Sequence, residues 1–399
     1  MDAVKEKIRQ LASEYQPDIV AIRRELHAHP ELSFNEFYTA EFITTILKDL
    51  GIGFEQGVAK TGIVGIIHGK NPDKGTIALR ADMDALPILE QNDVVYKSKN
   101  LGVMHACGHD VHMSCLLGAT KILNQIRDQF EGSIKLIFQP SEEKYPGGAK
   151  IMIKEGVLHK PDVRSILGQH VFPELEVGKI GMRSGKYMAS TDEVFLTIKG
   201  KGGHAAIPDK VIDPVLITAH IILALQQIVS RKAKPTMPTV ISFGGIQANG
   251  KTNIIPDEVK VEGIIRTFDE SWREEIKQRI SSMAKSIAES MGGDCDVFID
   301  PGYPFLVNDE VMTERTRAHA IEYLGADQVV DLDMRMTAED FAYYSQLVPG
   351  CFYRLGVRNE DKGIVSNLHS STFNVDEQSL GLGSGLMAWL AYKELMYLD

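Results

Sequence analysis

Short apolar runs alternate with helical stretches through the first half of this 399-residue chain. Runs broken by glycine, with the composition of buried strands, lie at 63–67, 76–79, 134–138 and 166–167. Apolar residues at helical spacing predict helices at 4–26, 37–50, 111–126 and 147–155. Strands that alternate with helices favour an α/β layered structure whose mixed sheet is mostly parallel.

The pattern changes near residue 185. From there, strands are predicted at 193–199, 239–245, 258–267 and 294–299, and helices at 213–230 and 271–291. The order β-α-β-β-α-β is the ferredoxin-like α+β arrangement. Helices at 311–324, 338–347 and 380–396 and a strand at 351–355 then resume the α/β pattern. We therefore predict a main domain formed by residues 1–184 and 301–399, with a satellite domain, residues 185–300, inserted between its halves.

Composition and charge argue against several classes of function. The formal net charge is −11, whereas a nucleic-acid-binding protein needs a basic face. The first residues lack the pattern of a signal peptide, and no run of 18 apolar residues predicts a membrane span. Four cysteines in a chain of this length do not indicate a disulfide framework. We therefore expect a cytoplasmic protein that binds neither nucleic acid nor a membrane.

The densest chemical signal is a cluster of three histidines and a cysteine: His105, Cys107, His109 and His112. Thiolate and neutral imidazole are preferred ligands of zinc and similar ions. Cys107 and His109 are two residues apart, so they would point to the same side of an extended segment, with a helix beginning at His112. The alternative is a chance cluster of core histidines.

Two adjacent carboxylates, Glu142 and Glu143, follow the predicted strand at 134–138. Ligands of open α/β sheets bind at the carboxyl edge of the strands. There, one carboxylate can bind a metal while its neighbour transfers a proton; a solvated loop pair is the alternative.

His170 follows the next predicted strand, and His369 lies on a loop before the last helix. Either histidine, taken alone, is a weak signal.

Two aspartates, Asp82 and Asp84, follow the predicted strand at 76–79. A carboxylate behind a metal-bound histidine commonly orients its ring. The alternative is turn chemistry before Pro87. Both interpretations stay open on these residues alone.

Taken together, these segments resemble the metallopeptidase-like amidohydrolases, which include hippurate hydrolases, N-acyl-L-amino acid amidohydrolases, auxin-conjugate hydrolases and N-acetyldiaminopimelate deacetylases. More distantly, the chain is similar to aminoacylase and to carboxypeptidases of the same fold. The matching stretches follow the family's order along nearly the whole chain: 23–32, 80–87, 105–112, 139–143, 200–206, 337–341 and His369. The resemblance implies a zinc-peptidase-like catalytic domain that acts on amide bonds.

The resemblance also implies a ligand set for two divalent metal ions, which could be zinc, manganese, cobalt or nickel. The implied ligands are Cys107, His109, Glu143, His170 and His369. Cys107 would bridge the two ions in place of the aspartate that the carboxypeptidase branch uses. In those relatives a metal-binding histidine stands where this chain has Asp82.

Further roles follow from the same resemblance. Glu142 would act as general base and acid on a metal-activated water, and Asp84 would orient the site. His204, within the glycine-rich segment 200–206, would stabilise the oxyanion, often in a partner subunit's site. Asn253 and Arg266 would hold the substrate, although a turn residue and a surface cation are the alternatives. No Gly-Lys-Ser/Thr follows the glycines, which argues against a nucleotide-binding loop.

The expected function is metal-dependent hydrolysis of the amide bond of N-acyl-L-amino acids, which releases a carboxylic acid and a free amino acid. A dipeptidase or carboxypeptidase of the same fold is the alternative, and a metal-bound protein without activity is the third hypothesis. The edge strands of a four-stranded satellite sheet, together with the resemblance, favour a homodimer or higher homo-oligomer. The sequence assigns no role to Asp82, His27, His29, His105 or His112.

Overall fold

The computed structural model describes residues 2–397, and its contacts divide the chain into two compact units. The first comprises Met1–Gly185, Val307–Asp333 and Asp340–Asp399, and the second comprises Lys186–Leu306 and Met334–Glu339. Each unit has its own hydrophobic core. Each is therefore described by itself.

The first unit is built on a mixed sheet of eight strands. These are β1 (Gly53–Val58), β2 (Gly62–His68), β3 (Thr76–Asp82), β4 (Ser133–Gln139), β5 (Val163–Glu176), β6 (Ile180–Met182), β15 (Val329–Asp331) and β16 (Gly350–Arg358). Their order is β1-β2-β4-β3-β5-β16-β6-β15, and the four central strands β4, β3, β5 and β16 are parallel. The predicted mixed, mostly parallel sheet is confirmed.

Helices cover this sheet. They are α1 (Asp2–Ala28), α2 (Phe37–Asp49), α3 (His109–Gln125), α4 (Gly148–Lys154), α7 (Glu310–Leu324), α8 (Ala342–Ser345) and α9 (Gln378–Glu394). Helices α1, α3 and α9 pack on one another, and α3 and α9 contact β3. The helix predicted at 338–347 is reduced to α8, because residues 334–339 belong to the second unit and the Asp340 carboxylate is buried among polar partners.

The second unit is an α+β sandwich. It contains the strands β8 (Asp192–Lys199), β9 (Gly203–His204), β10 (Thr239–Ala248), β11 (Ile254–Ile255), β12 (Glu258–Thr267) and β13 (Asp294–Pro301), with the helices α5 (Pro214–Gln227) and α6 (Glu270–Ser290). Its antiparallel four-stranded sheet has the order β10-β12-β8-β13. This is the predicted ferredoxin-like arrangement. Two short strands, β7 (Gly185–Met188) and β14 (Leu306–Asn308), lie where the chain passes between the units.

Helix α5 continues into a π-helical turn. The resulting helix, Pro214–Lys232, is long and apolar enough to cross a membrane by length and composition alone, and 33% of the apolar 18-residue window within it is buried. Ile217, Ile221, Leu225 and Ile228, at helical spacing, lie in the core of the second unit. A helix that covers a sheet with one apolar face has this pattern, so the membrane signal is weak.

Neighbouring strands of the first unit bring polar residues to one level of the sheet. Asp82 at the end of β3 pairs with Gln139 at the end of β4, and Arg354 on β16 pairs with His170 on β5. His170 lies inside β5, whereas the sequence predicted a strand that ended before it. The strand continues because its pairing with β16 extends as far as Glu176.

Candidate metal centre and active site

Cys107 and His109 lie on either side of a glycine turn. Gly108 precedes α3 with φ at 80°, the left-handed region that favours glycine. A Cβ atom at residue 108 would come within 2.5 Å of a methyl group of Val171. Helix α3 begins at His109, two residues before the helix predicted at 111–126 and three before His112, and the predicted extended segment from Cys107 to His109 is wrong.

Cys107 is shared between two groups of potential metal ligands. Donor atoms of Cys107, His109 and His170 lie within 4.8 Å of one another, and so do those of Cys107, Glu143 and His369. Cys107, His109 and His170 are buried, whereas His369 is exposed. The five residues predicted as ligands thus come together around one thiol.

The hydrogen bonds of these side chains leave lone pairs directed into the centre. Nδ1 of His170 donates to the backbone oxygen of Val171 at 2.7 Å, and Nε2 of His170 lies 3.5 Å from Sγ of Cys107. Among residues 2–397, neither Nε2 of His109 nor Oε1 of Glu143 has a hydrogen-bond partner. Buried polar atoms are seldom left unpaired. Nitrogen, sulfur and carboxylate donors in this arrangement fit a zinc-like cation.

The acidic residues around the centre shift the pKa values of its potential ligands. Burial alone would lower the pKa of His109, but the carboxylates of Asp82 and Asp84 outweigh it and raise this pKa to about 10. Burial, with Glu143 close by, raises the pKa of the Cys107 thiol well above its usual value. Both shifts indicate a surplus of negative potential. A divalent cation would relieve it and would favour the thiolate form of the cysteine.

Asp84 holds the two adjacent glutamates by their backbone. Its Oδ1 accepts from the N–H of Glu142 at 2.9 Å, and its Oδ2 accepts from the N–H of Glu143 at 3.0 Å and from the Ser33 hydroxyl at 2.6 Å. Oδ1 also lies 3.4 Å from Nδ1 of His109. A single buried carboxylate therefore fixes a potential ligand and the loop of the glutamate pair.

His112 is engaged at both ring nitrogens. Its Nδ1 donates to Oδ1 of Asp82 at 2.6 Å, and its Nε2 accepts from the N–H of Val171 at 2.8 Å. Asp82 also accepts from Arg80 at 2.7 Å. The ring thus joins the start of α3 to β3 and β5, as a core histidine would.

Two further histidines of the sequence motifs are buried. Nδ1 of His27 lies 2.8 Å from Asp110, and its Nε2 lies 3.1 Å from Glu90, so both nitrogens face carboxylates. Among residues 2–397, the ring of His105 has no hydrogen-bond partner. Burial lowers the pKa of His105 to about 3, which keeps the ring neutral.

The predicted substrate-contacting residues lie in the second unit. His204 is exposed on β9, and the N–H of Ala205 donates to the oxygen of Asn253 at 3.1 Å, so these two positions are neighbours. Arg266 lies on β12, is partly buried and donates to the hydroxyl of Thr191. Their catalytic and binding roles stay predictions.

Several buried polar residues that support the site were given no role by the sequence. Arg80 donates to Asp82, Gln139 and Asp340 at 2.7–2.9 Å. A charge inside a fully buried strand must be paired, so Arg80 did carry a readable signal. Glu36 carried no such signal in the sequence, because it lies in a loop before α2.

Comparisons with known proteins agree with this geometry. The profile of peptidase family M20/M25/M40 matches residues 78–393. Thermostable carboxypeptidase 2 of Saccharolobus solfataricus is 41% identical over 397 residues, which cover 98% of this chain and 99% of that protein. The N-acyl-L-amino acid amidohydrolase of Geobacillus stearothermophilus is 43% identical over 304 residues, or 76% of this chain and 81% of that one. The solved structure of the Bacillus subtilis YXEP protein, described as a dinuclear metal binding peptidase, has a TM-score of 0.83 and 34% identity over 96% of this chain and 99% of that one.

Proposed function

The chain belongs to peptidase family M20/M25/M40, and from this premise we propose that it hydrolyses the amide bond of N-acyl-L-amino acids to a carboxylic acid and a free amino acid. The observation that carries the proposal is the sharing of Cys107 between two groups of donor atoms. The 43% identical relative named as an N-acyl-L-amino acid amidohydrolase supports the substrate class.

Two divalent ions would be held by the five clustered residues. Cys107, His109 and His170 would form one site, and Cys107, Glu143 and His369 the other, with the thiolate as the shared ligand. Thiolate, imidazole and carboxylate together suit zinc, and also manganese, cobalt or nickel. Nε2 of His109 and Oε1 of Glu143 lie 3.9 Å apart and have no hydrogen-bond partner among residues 2–397, which supports this assignment.

Glu142 is our candidate general base and acid. Bound divalent ions supply Lewis acidity, which polarises an amide carbonyl and lowers the pKa of water to about 7. The carboxylate of Glu142 lies within 4.8 Å of the donor atoms of His109 and Glu143 and is 7% exposed. It would take a proton from the attacking water and return it to the departing amine, a role worth roughly 10²–10⁴-fold in rate. Asp84 would keep this carboxylate in place through the backbone of residue 142.

Three residues of the second unit are our candidates for contacts with the substrate. We assign His204 to stabilising the tetrahedral oxyanion, and Asn253 and Arg266 to binding the substrate. Donors of this kind are typically worth about 3 kcal/mol each in the transition state. The exposure of His204 and Asn253 supports a role in contacting a ligand.

We also propose a homodimer, or a higher homo-oligomer, formed through the second unit. Helix α5 exposes Val215, Leu216 and Leu223, and the neighbouring strand β10 is an edge of its sheet with Ile246 exposed. Exposed apolar side chains beside an open strand edge favour pairing with a second copy. Sedimentation at micromolar concentration should give at least twice the mass of one chain; a monomer would contradict the proposal.

A cytoplasmic location is proposed for the same protein. Its four cysteines, Cys107, Cys115, Cys295 and Cys351, are all free and buried. Free thiols are typical of a reducing compartment.

A carboxypeptidase or dipeptidase is the second candidate function. The relative that is 41% identical over almost the whole chain is named as a thermostable carboxypeptidase, which favours this candidate specifically. The two candidates share one chemistry and differ in the substrate: a peptidase would act on a substrate with a free amine or on a longer peptide, rather than on a simple N-acyl amino acid.

A substrate panel tests the proposal. Metal-depleted protein is reloaded with zinc, manganese, cobalt or nickel and given N-acetyl, N-benzoyl and indole-acetyl amino acids alongside unacylated dipeptides, and released amino acid is measured. We expect turnover of the acylated compounds and little of the dipeptides. Preference for dipeptides would favour the peptidase candidate, and no hydrolysis of any compound by protein with two bound ions would contradict both.

A further inference from the structure

Glu36 is a fully buried carboxylate that contacts the loop of the glutamate pair. Its Oε1 accepts from the N–H of Ser141 at 2.9 Å and from the N–H of Phe34 at 2.9 Å. Its Oε2 accepts from the hydroxyl of Thr61 at 2.6 Å. Glu36 is 0% exposed and lies more than a hundred residues before the loop it contacts. Sequence motifs gave this residue no role.

The loop is held by two carboxylates in succession. The N–H of residue 141 donates to Glu36, and the N–H groups of Glu142 and Glu143 donate to Asp84. Three consecutive amides therefore end on two buried acids. Ser141 has φ at 51°, in the left-handed region that a residue with a side chain rarely adopts unless its surroundings impose it. The hydrogen bond that the N–H of Ser141 donates to Glu36 is one of the contacts that hold this conformation.

We propose that Glu36 is a positioning residue for Glu142: together with Asp84 it sets the path of the backbone at residues 141–143 and hence the place of the Glu142 carboxylate. The inference rests on the proposed role of Glu142 as general base. It assigns Glu36 no contact with substrate or metal. The loss of this hydrogen bond would leave the buried N–H of Ser141 without its acceptor and would release the strained turn.

Two conservative substitutions separate geometry from charge. Glu36→Gln removes the negative charge but keeps an oxygen that can accept from Ser141 and Phe34, and its amide group can donate to the hydroxyl of Thr61. Glu36→Asp keeps the charge but is one methylene shorter, so it cannot span the same partners. A positioning role predicts that the glutamine variant keeps its kcat and that the aspartate variant loses most of it. A role through charge alone predicts the reverse.

The experiment measures kcat, KM, bound metal and the unfolding midpoint for both variants, with Thr61→Val as the matched control. Thr61→Val removes another hydrogen bond to Glu36 without touching residue 141. We expect Glu36→Asp to lower kcat by roughly 100-fold, since a displacement of about 1 Å can cost that much, with KM and two bound ions kept. We expect the kcat of Glu36→Gln and of Thr61→Val to stay within about threefold of the wild-type value, even where the substitution changes the unfolding midpoint.

Two results would overturn the inference. One is a wild-type kcat for Glu36→Asp, and the other is a loss of activity that follows loss of metal or of fold. Glu142→Gln is assayed in parallel, so that the role of Glu142 as general base and the positioning role of Glu36 can be refuted independently. An active Glu142→Gln would refute the proposed base itself, whereas an inactive Glu142→Gln beside a fully active Glu36→Asp would refute only the positioning role.

Discussion

Oδ1 of Asp84 accepts a hydrogen bond from the backbone N–H of Glu142 at 2.9 Å. The same carboxylate accepts from Glu143 and faces Nδ1 of His109 at 3.4 Å. One side chain thus couples the proposed base to a proposed ligand from each of the two metal sites. Any change to it should affect metal binding and turnover together.

Asp84→Asn should weaken both metal affinity and kcat by roughly 10–100-fold, because an amide would present donors to backbone N–H groups and to the histidine it orients. Ser33→Ala is the control, since it removes only the hydroxyl that donates to Asp84. Chelator competition gives the metal affinity and steady-state assays give kcat. Wild-type values of both in Asp84→Asn would show that the site does not depend on this carboxylate.

Asparagine variants at His112 and His170 should differ in the number of metal ions that they bind. His112→Asn keeps a donor for Asp82 but loses the acceptor for the N–H of Val171, so it should bind two ions and lose about 1–3 kcal/mol of unfolding free energy. His170→Asn should bind one ion fewer than the wild type. Elemental analysis of the purified variants checks this, and a missing ion in His112→Asn would contradict the core role of that ring.

His27 should stabilise the fold most at low pH. Burial and Arg23 lower its pKa, but the hydrogen bonds and charges of Asp110 and Glu90 outweigh them and leave it raised. A raised folded-state pKa gives stability that is fully present below the unfolded value of about 6.5 and is lost as pH rises through the folded value.

The test is urea unfolding of wild type and His27→Gln over a range of pH. The stability difference should be roughly 1.5–3 kcal/mol near pH 6 and should shrink as pH increases. The exposed His159 is the control, and His159→Gln should change little. A stability difference for His27→Gln that stays constant with pH would be evidence against the charged form of His27.

Glu36 should make stability depend on pH in the same direction as His27, but over a lower range of pH. Burial, with Asp84 close by, raises its pKa from 4.5 to about 7. Because the folded state holds this proton more tightly than the unfolded state, stability falls as pH rises from 4.5 to 7, by up to about 3 kcal/mol. Glu36→Gln removes that dependence, so its stability relative to wild type should increase between pH 5 and pH 8. An unchanged difference across that range would contradict the raised pKa.

Much of the architecture could be predicted because its signals are local. The buried runs that became β3 and β4, and the β-α-β-β-α-β order of the second unit, are visible as apolar periodicity. The short strands β6 and β15 could not be predicted, because three-residue strands exist only through their pairing with each other and with β16.

In the site, too, residues with a local signal in the sequence could be predicted, and residues that act through distant contacts could not. Cys107, His109 and the glutamate pair were found because metal-binding side chains crowd a few positions of the sequence. Glu36 and Asp340 were not, since each acts by a hydrogen bond to a residue about one to two hundred positions away. The start of α3 at His109 depends on the contact between Gly108 and Val171, which is also distant in sequence.

The most direct test of the account is amide hydrolysis by Glu142→Gln, reloaded with metal and compared with wild type on the best N-acyl-amino acid. We predict two bound ions per chain in both proteins and a kcat lower by roughly 10²–10⁴-fold in the variant, because only the proton-transferring group is removed. A Glu142→Gln variant that keeps both ions and the wild-type kcat would contradict the central claim that this carboxylate activates water beside a two-metal centre.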